Sequence, residues 1–181
     1  MTKKIKDILL KLYDLEEQSI ARRIPIIGSV KGKWLLEQIQ KYKPKKILEL
    51  GTANGYSGCI LGSEGADLIT IELNPHIAKE ALNNFEKNEI KAQVIIGDGV
   101  QIIKELNTSF DLIFIDFHKS GYYQVLEDCL RLLKKNGLMI ADNITFEGCQ
   151  DFKKAILHHP RLQTQIIDIK DGLSFSMKLE V

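Results

Sequence analysis

The sequence lacks any apolar run that approaches the roughly 20 residues of a membrane-spanning helix. Its first stretch, residues 1–7, interrupts the apolar positions with charge, which is unlike a signal peptide. Cysteine is scarce: Cys59, Cys129 and Cys149 are widely spaced, odd in number and form no C-x-x-C motif. They are predicted to be reduced thiols that fill a core. We therefore expect a cytoplasmic protein with no membrane partner.

An excess of charge of either sign is also absent. The formal net charge is +1, so bulk electrostatics do not favour a nucleic-acid partner. Hydrophobic residues make up 44% of the chain and charged residues 27%, which is ordinary for a globular protein. A chain of 181 residues without a linker or repeat is most simply one domain with its own core.

A short apolar strand followed by a glycine turn organises the chain. Residues 47–50 predict a buried strand that ends at Gly51, and a helix-like run follows over residues 56–63. Such a turn places backbone N–H groups and a helix N-terminus against a ligand. Ala53 stands where G-x-G-x-x-G needs its second glycine, so the spacing disfavours a dinucleotide. With Glu49 two residues before the first glycine, the pattern points to a different ligand that carries a nucleoside.

Apolar strands and amphipathic helices alternate along most of the chain, which predicts a parallel sheet covered on both faces. Asp171-Gly172 between two apolar runs indicates a hairpin, so the sheet should end in an antiparallel pair. Beyond the first strand, the predicted strands are 67–71, 94–96, 111–115, 138–141, 165–169 and 173–177. The predicted helices are 5–20, a second one with Ser29 as N-cap and an end near Tyr42, then 75–88, 100–106, 122–135 closed by Asn136-Gly137, and 151–158.

A glycine or a polar residue follows each of the five predicted parallel strands, where ligands bind in an open α/β sheet. These strand-end positions are Gly51, Glu72, Asp98, Asp116 and Asp142-Asn143. Each alone also fits a turn residue or a helix cap. Glu72 stands about 20 residues after the first glycine, where a carboxylate can bind both ribose hydroxyls. Asp98 can accept a hydrogen bond from a base amino group, or it can cap the helix that follows.

The fourth and fifth strands supply a candidate metal site. Asp116 and the pair Asp142-Asn143 end neighbouring strands, so two carboxylates and an amide oxygen can converge on Mg²⁺. Alternatively, Asp142-Asn143 only turns the chain. Lys119, three residues after Asp116, could place an amine beside that metal, or it could be an ordinary exposed lysine.

These motifs resemble those of a known family. Residues 47–57 are similar to the first motif of the cation-dependent O-methyltransferases of the catechol and caffeoyl-coenzyme A type, which use S-adenosylmethionine. Asp116 with Lys119 and Tyr122 resembles their aspartate–lysine–tyrosine segment, and Asp142-Asn143 resembles their metal-binding pair. Residues 28–32 match the segment that reaches over the methyl donor. The similarity runs over residues 26–172, most of the chain.

The resemblance implies an α/β fold, a Rossmann-like class I methyltransferase. Its sheet would have seven mostly parallel strands in the order 3-2-1-4-5-7-6, an antiparallel C-terminal hairpin and helices on both faces. We expect one domain over residues 1–181, in which helices of residues 1–43 cover the site and residues 44–181 form the Rossmann-like core. The helix 5–20 could either cover the acceptor site or form a homodimer contact.

The resemblance also implies roles for the site residues. The expected reaction moves the methyl group of S-adenosylmethionine to a hydroxyl of a small molecule that is bound to a divalent cation, with Mg²⁺ expected. A cation-bound hydroxyl has a lowered pKa and a fixed oxygen, which suits in-line attack on the methyl group. The implied donor-binding residues are Glu49, Gly51, Gly55, Ser57, Glu72, Asp98 and Asp116; the implied metal ligands are Asp116, Asp142 and Asn143; and the implied catalytic residues are Lys119, which takes the acceptor proton, and Asp116.

Three departures from the family leave the acceptor open. Phe117-His118 stands where many relatives have small and acidic residues, and we favour a structural or rim role for His118 over contact with the acceptor. The loop 144–149 and the final hairpin are short, so little chain remains for an acceptor lid. Gln165 stands where catechol-specific relatives would supply a carboxylate.

Two other functions remain as alternatives. One is a metal-independent methyltransferase acting on RNA or another large substrate, which the thin lid would permit but the neutral charge disfavours. The other is a non-catalytic protein that binds S-adenosylmethionine, or a dinucleotide-dependent enzyme. The apparent metal residues disfavour a bare binding module, and Ala53 disfavours a dinucleotide.

Overall fold

The computed structural model describes residues 3–180, so Met1, Thr2 and Val181 of the predicted domain 1–181 lie outside the described residues. Within that range one seven-stranded sheet forms the centre of the molecule. Its strands are β1 Lys46–Leu50, β2 Asp67–Glu72, β3 Ala92–Ile96, β4 Phe110–Ile115, β5 Leu133–Asp142, β6 Leu162–Ile167 and β7 Leu173–Lys178.

The strand order is β3-β2-β1-β4-β5-β7-β6, which confirms the predicted order. Strands β1 to β5 pair in parallel, and β7 pairs antiparallel with both β5 and β6. The predicted hairpin therefore closes the sheet. Its turn contains Lys170 and Gly172, and both have a positive φ, whereas Asp171 between them does not.

Helices cover both faces of the sheet. The helices are α1 Lys3–Lys11, α2 Tyr13–Ala21, α3 Gly28–Tyr42, α4 Tyr56–Gly62, α5 Pro75–Lys87, α6 Gly99–Glu105, α7 Leu126–Leu132 and α8 Gln150–His158. Residues of α1, α3, α4 and α5 pack into one hydrophobic core, and residues of α6, α7 and α8 pack into the other. No helix in the described part of the chain combines the length and hydropathy of a membrane span.

The apolar sequence of strand β4 explains why this strand lies in the middle of the sheet. Leu112 and Phe114 point into one core, whereas Ile113 and Ile115 point into the other, and all four are fully buried. Successive strand residues face opposite sides, so an unbroken apolar run suits a strand covered twice. Full burial of each such side chain stabilises the fold by about 1.5–3 kcal/mol.

The predicted single helix 5–20 is wrong, because the chain forms α1 and α2 with a bend at Leu12. Leu12 is buried in the same core as Ile5 and Leu35. Backbone hydrogen bonds continue past the bend, since the N–H of Glu16 donates to the carbonyl of Leu12. The apolar periodicity runs through the bend as well, so periodicity alone could not reveal it.

The predicted N-cap at Ser29 is also wrong. Helix α3 begins at Gly28, and the N–H of Ser29 donates to Glu16 Oε1 at 2.8 Å. A carboxylate from α2 thus takes the place of a local cap, and it also suits the positive end of the helix dipole. Such a tertiary cap leaves no local signature in the sequence.

The predicted helix 122–135 is too long, because α7 ends at Leu132 and β5 begins at Leu133. Asn136-Gly137 therefore lies inside a strand and does not close a helix. Phe110 pairs with Leu133, but Leu112 pairs with Leu138, so extra residues of β5 bulge out of the ladder. Asn136 has a φ of 58°, which suits a bulge as well as a helix C-cap.

Candidate active site

A cleft of about 870 Å³ opens at the carboxyl ends of the parallel strands. The predicted strand-end residues all line it, although they are far apart in the sequence. They are Gly51, Glu72, Asp98, Asp116, Asp142 and Asn143. Ser57 and Lys119 line the same cleft, so the structure brings most of the predicted site residues together.

Gly51 allows the first strand to approach the fourth. Its φ is 98°, and a Cβ there would collide with the backbone carbonyl of Asp116. The N–H groups of Gly51 and Thr52 both donate to the carbonyl of Ile71, which fixes the turn against β2. A side chain at position 51 would therefore push apart the two strand ends that carry the donor turn and Asp116.

Glu72 holds the outer part of the glycine turn. Its Oε2 accepts from the N–H of Ala53 at 2.9 Å, and its Oε1 accepts from the N–H of Asn74 at 2.9 Å. Both carboxylate oxygens are thus oriented by backbone before any ligand binds. A carboxylate has about four acceptor positions, so each oxygen keeps capacity for a further donor.

Glu49, which the resemblance implies as a donor-binding residue, lies on the far side of the glycine turn from the cleft. It is fully buried behind the turn, where it accepts hydrogen bonds from Ser57 Oγ and Thr70 Oγ1, each at 2.6 Å. Burial raises the pKa of Glu49 to about 8, so its carboxyl is largely protonated at pH 7. Among the described residues, those that line the cleft do not include Glu49.

Gly55 likewise lies behind the cleft rather than in its wall. It has a φ of 90°, and a Cβ there would lie 3.0 Å from the ring of Phe85 and 3.2 Å from Ala81. Its role in the geometry is to let α4 start close against α5. Asp98 caps α6 by accepting from the N–H of Val100 at 2.9 Å, and it also borders the cleft, so its hydrogen bond to a base amino group stays a prediction.

The second helix attaches to the glycine turn and leads into the cleft wall. Asn54 Nδ2 donates to Ser19 Oγ at 2.7 Å, and the hydroxyl of Tyr56 donates to Glu16 Oε2 at 2.9 Å. Residues 23–26, which follow α2, line the cleft. Residues 23–26 therefore form part of the cleft wall, whereas residues 28–32, which the resemblance implied would reach over the methyl donor, are not among the described residues that line the cleft.

Lys119 is held by two neighbours. Its ammonium lies 2.8 Å from Asp116 Oδ1 and 2.9 Å from the hydroxyl of Tyr122. That hydroxyl lies 3.1 Å from the carbonyl oxygens of both Ile115 and Asp142. Burial, helped by the negative charge of Asp116, raises the pKa of Tyr122 well above its ordinary value, so the phenol keeps its proton.

Asp142 lines the cleft, is almost fully buried and is paired with a lysine. The ammonium of Lys31 contacts Asp142 Oδ1 and Asp171 Oδ1, and the N–H of Asn143 donates to Asp142 Oδ1 at 2.7 Å. The side chains of Lys31 and Asp142 are only 2% and 3% exposed. Burial and the charge of Asp116 raise the pKa of Asp142 to about 6, although Lys31 opposes the shift.

Lys31 and Asp171 are functional candidates that the sequence reasoning missed. Lys31 falls on the buried stripe of α3 with Leu35, Leu36 and Ile39, so a lysine on an apolar helical face was the available signal. Asp171 stands in an Asp-Gly pair, which by itself indicates only a turn. Its second oxygen, Oδ2, accepts from Asn143 Nδ2.

The donor set of the cleft fits a divalent cation. Asp116 and Asp142 face the same cleft, and the mutual repulsion of their charges contributes to the raised pKa of Asp142. The amide nitrogen of Asn143 is bound to Asp171, which leaves its oxygen as the end able to bind a cation. Within residues 3–180 no cluster of three or more His, Cys, Asp or Glu side chains is placed to hold a metal. The candidate site therefore depends on the amide oxygen as its third ligand.

The aromatic residues beside Lys119 form the rim. Phe117 stacks on Tyr122 with ring centres 5.6 Å apart, and His118 packs edge-on against Phe117 at 4.4 Å. Both Phe117 and His118 line the cleft. Gln165 lies elsewhere, beside a smaller cavity of about 310 Å³ that Trp34 also lines.

The fold and the cleft are those of a class I methyltransferase, and comparisons with known proteins agree. The O-methyltransferase family model matches residues 5–179. This chain belongs to that O-methyltransferase family.

Individual relatives show the same likeness. The catechol O-methyltransferase of Mus musculus is 32% identical over 139 residues, which are 70% of this chain and 52% of that protein. The chain spans about half the length of several curated relatives that it matches.

Two solved structures resemble this chain over nearly its whole length. A Staphylococcus aureus protein assigned as a caffeoyl-CoA O-methyltransferase is 26% identical, with a TM-score of 0.86 over 92% of this chain and 91% of that one. An O-methyltransferase from Bacillus cereus in complex with SAH has a TM-score of 0.82 over 98% of this chain and 91% of that one. At 22% identity, the latter supports the fold alone.

Proposed function

We propose that this protein is an S-adenosylmethionine-dependent O-methyltransferase whose acceptor is a small-molecule hydroxyl bound to a divalent cation. The observation that carries the proposal is that one cleft contains the glycine turn, Glu72, the Asp116–Lys119 pair and Asp142-Asn143. Membership of the O-methyltransferase family supports the reaction class. The net charge of +1 favours a small acceptor over nucleic acid.

The donor would lie along the glycine turn. Gly51 and Ser57 would hold its methionine part, and Asp98 would lie near its adenine. Glu72 would bind both ribose hydroxyls, because its two oxygens are already aligned by the N–H groups of Ala53 and Asn74. Glu49 and Gly55 would support this site from behind rather than contact the donor.

The cation would be held by Asp116, Asp142 and Asn143, and Mg²⁺ suits these oxygen ligands. When bound, it would lower the pKa of the acceptor hydroxyl and fix its oxygen. Lys119 would take the acceptor proton. The acceptor oxygen then bonds to the methyl carbon while the carbon–sulfur bond breaks, and the donor leaves as a neutral thioether.

The test separates donor binding from transfer. We expect isothermal calorimetry to detect S-adenosylmethionine, but not NAD, with or without Mg²⁺. We expect label from methyl-labelled S-adenosylmethionine to reach small molecules with adjacent hydroxyl groups only when Mg²⁺ is present. Undiminished transfer in the presence of a chelator would contradict the cation mechanism. Donor binding without transfer to any acceptor, including RNA, would favour a non-catalytic protein. The homodimer remains a prediction that the sedimentation coefficient of the same preparation would test.

A further inference from the structure

Two residues beside the candidate cation site have no role in the proposed reaction: Lys31, which is buried, and Asp171, which lines the cleft with a side chain that is 31% exposed. Asp171 lies in the β6–β7 turn, and one of its oxygens contacts the ammonium of Lys31. Its other oxygen accepts from Asn143 Nδ2. Asp171 therefore connects a buried lysine to an amide that is a candidate cation ligand.

We propose that Asp171, anchored by Lys31, is a positioning residue that turns the oxygen of the Asn143 amide toward the cation. This inference rests on the proposed function, because it concerns the cation site of that reaction. An asparagine amide presents either its oxygen or its nitrogen to a neighbour, and only the oxygen can bind a cation. A carboxylate accepts hydrogen bonds and donates none, so Asp171 binds the nitrogen end and leaves the oxygen available.

The anchor prevents the carboxylate from adopting another orientation. The side chain of Lys31 is 2% exposed, and its ammonium contacts both Asp142 and Asp171. The desolvation of an ammonium is costly unless carboxylates pair with it, so these contacts are strongly favoured. Lys31 thus fixes one oxygen of Asp171 and leaves the other directed at Asn143.

The backbone around Asn143 is held independently of the Asp171 side chain. The N–H of Ile144 donates to the carbonyl of Gly172, and the N–H of Thr145 donates to the carbonyl of Asp171. Thr145 Oγ1 also donates to that carbonyl at 2.8 Å. A change confined to the Asp171 carboxylate should therefore alter the Asn143 amide while the loop keeps its position.

The isosteric variant Asp171→Asn gives the sharpest test. Lys31 will attract the new amide oxygen, so the new amide nitrogen will face Asn143. The Asn143 amide must then turn its own oxygen toward position 171 and its nitrogen toward the cation. We expect Mn²⁺ affinity, measured by electron paramagnetic resonance of the free ion, to fall by about 10- to 100-fold. Affinity for S-adenosylmethionine, measured by calorimetry without metal, should not change.

Two further variants test whether a loss of Mn²⁺ affinity in Asp171→Asn comes from the orientation of the Asn143 amide, from the change in charge or from a less stable turn. Thr145→Val removes a side-chain bond to the same turn, and it should leave Mn²⁺ affinity as in the wild type. The double variant Lys31→Met/Asp171→Leu keeps the net charge but removes the acceptor for Asn143, together with the ammonium that contacts Asp142. We expect it to lose affinity as Asp171→Asn does, whereas an effect of charge alone would leave its affinity intact.

The outcomes also separate this inference from the proposed function. If the wild-type protein binds no Mn²⁺, the cation mechanism itself fails. If the wild type binds Mn²⁺ and folded Asp171→Asn binds it equally well, only the positioning role of Asp171 is overturned. Thermal unfolding of each variant establishes that it is folded before its affinity is measured.

Discussion

The hydroxyl of Tyr122 lies 2.9 Å from the ammonium of Lys119, and it must be the acceptor in that hydrogen bond. An ammonium has no lone pair, and the single phenolic proton is directed at the carbonyls of Ile115 and Asp142. The raised pKa of Tyr122 keeps that proton in place. Tyr122 therefore connects the ends of β4 and β5 to the nitrogen proposed as the general base.

Tyr122→Phe should lower turnover more than it alters binding. Without the hydroxyl, Lys119 keeps Asp116 as a partner but loses the group that fixes its distance from the acceptor. We expect kcat to fall about 10-fold or more, a part of the about 10²- to 10⁴-fold attributed to a positioned acid or base, with little change in KM for the donor. Steady-state kinetics measure this.

The neighbouring Tyr123→Phe is the matched control for Tyr122→Phe, because the side chain of Tyr123 is exposed. The loss of the buried hydroxyl also leaves two carbonyls without that donor, at a cost of about 1–3 kcal/mol in the free energy of unfolding. Assays must therefore run well below the melting temperature of each variant. A kcat equal to that of Tyr123→Phe would show that the hydroxyl does not position Lys119.

Glu49→Gln should change how stability depends on pH. The folded-state pKa of Glu49 is raised from 4.5 to about 8, so between these values the folded state binds a proton that the unfolded state has released. The stability of the wild type should therefore fall as pH rises from about 5 to about 8, by at most about 1.4 kcal/mol per pH unit from this group.

The variant Glu49→Gln has no such group and should lose this slope, so it should be the more stable protein at pH 8.5. Urea unfolding at half-unit pH intervals measures the difference. Glu86→Gln, on the exposed side of α5, is the control for removing a carboxylate. Parallel pH profiles for the wild type and Glu49→Gln would mean that Glu49 is charged in the folded protein.

The position of Glu49 also illustrates how far the sequence could be interpreted. Short apolar runs and the glycine turn predicted the strands and the cleft correctly, because a twice-covered strand has a distinctive composition. Glu49 lies one residue from Leu50 and two from Gly51, yet the pleat turns it away from the cleft. The resemblance to a family motif does not carry this information, since a motif residue can contact the ligand or support the turn.

Tertiary contacts account for the helix boundary that was wrong and for the two residues that were missed. Asn136-Gly137 has the same local signature in a helix C-cap and in a bulge, and only the pairing of Leu112 with Leu138 decides between them. Lys31 and Asp171 are 140 positions apart, and nothing local to either predicts their contact. A buried lysine on an apolar helical stripe signals a partner, but its identity requires the fold.

Glu72→Gln should weaken donor binding. Two backbone N–H groups donate to the two oxygens of Glu72, and an amide can accept only one of them. The amide nitrogen would face the other N–H, so the turn at Ala53 or Asn74 must shift, and one acceptor for the ribose is lost. We expect the dissociation constant of S-adenosylmethionine to rise at least 10-fold in calorimetry. Asp67→Asn, at the opposite end of β2, is the control, and equal affinities would place the ribose elsewhere.

Asp142→Asn should abolish transfer while donor binding survives. Asparagine keeps an oxygen for Lys31 and for the N–H of Asn143, so the buried lysine retains its contacts. It removes the negative charge that a divalent cation requires. The alanine variant would also remove one partner of the buried Lys31, which would lower the free energy of unfolding by about 3–5 kcal/mol. The glycine turn and Glu72 are unaffected, so calorimetry should give the wild-type affinity for S-adenosylmethionine.

The transfer assay for Asp142→Asn compares three proteins with Mg²⁺ and with a chelator. We expect the wild type and the exposed-site control Asp168→Asn to lose activity only when the chelator is added. Asp142→Asn should be inactive in both conditions, because its cation site lacks one of two carboxylates. Asp142→Asn could instead transfer the methyl group at the wild-type rate whether or not the chelator is present. The ammonium of Lys31 would then supply all the positive charge that the reaction needs in this cleft. The reaction would then belong to the metal-independent alternative.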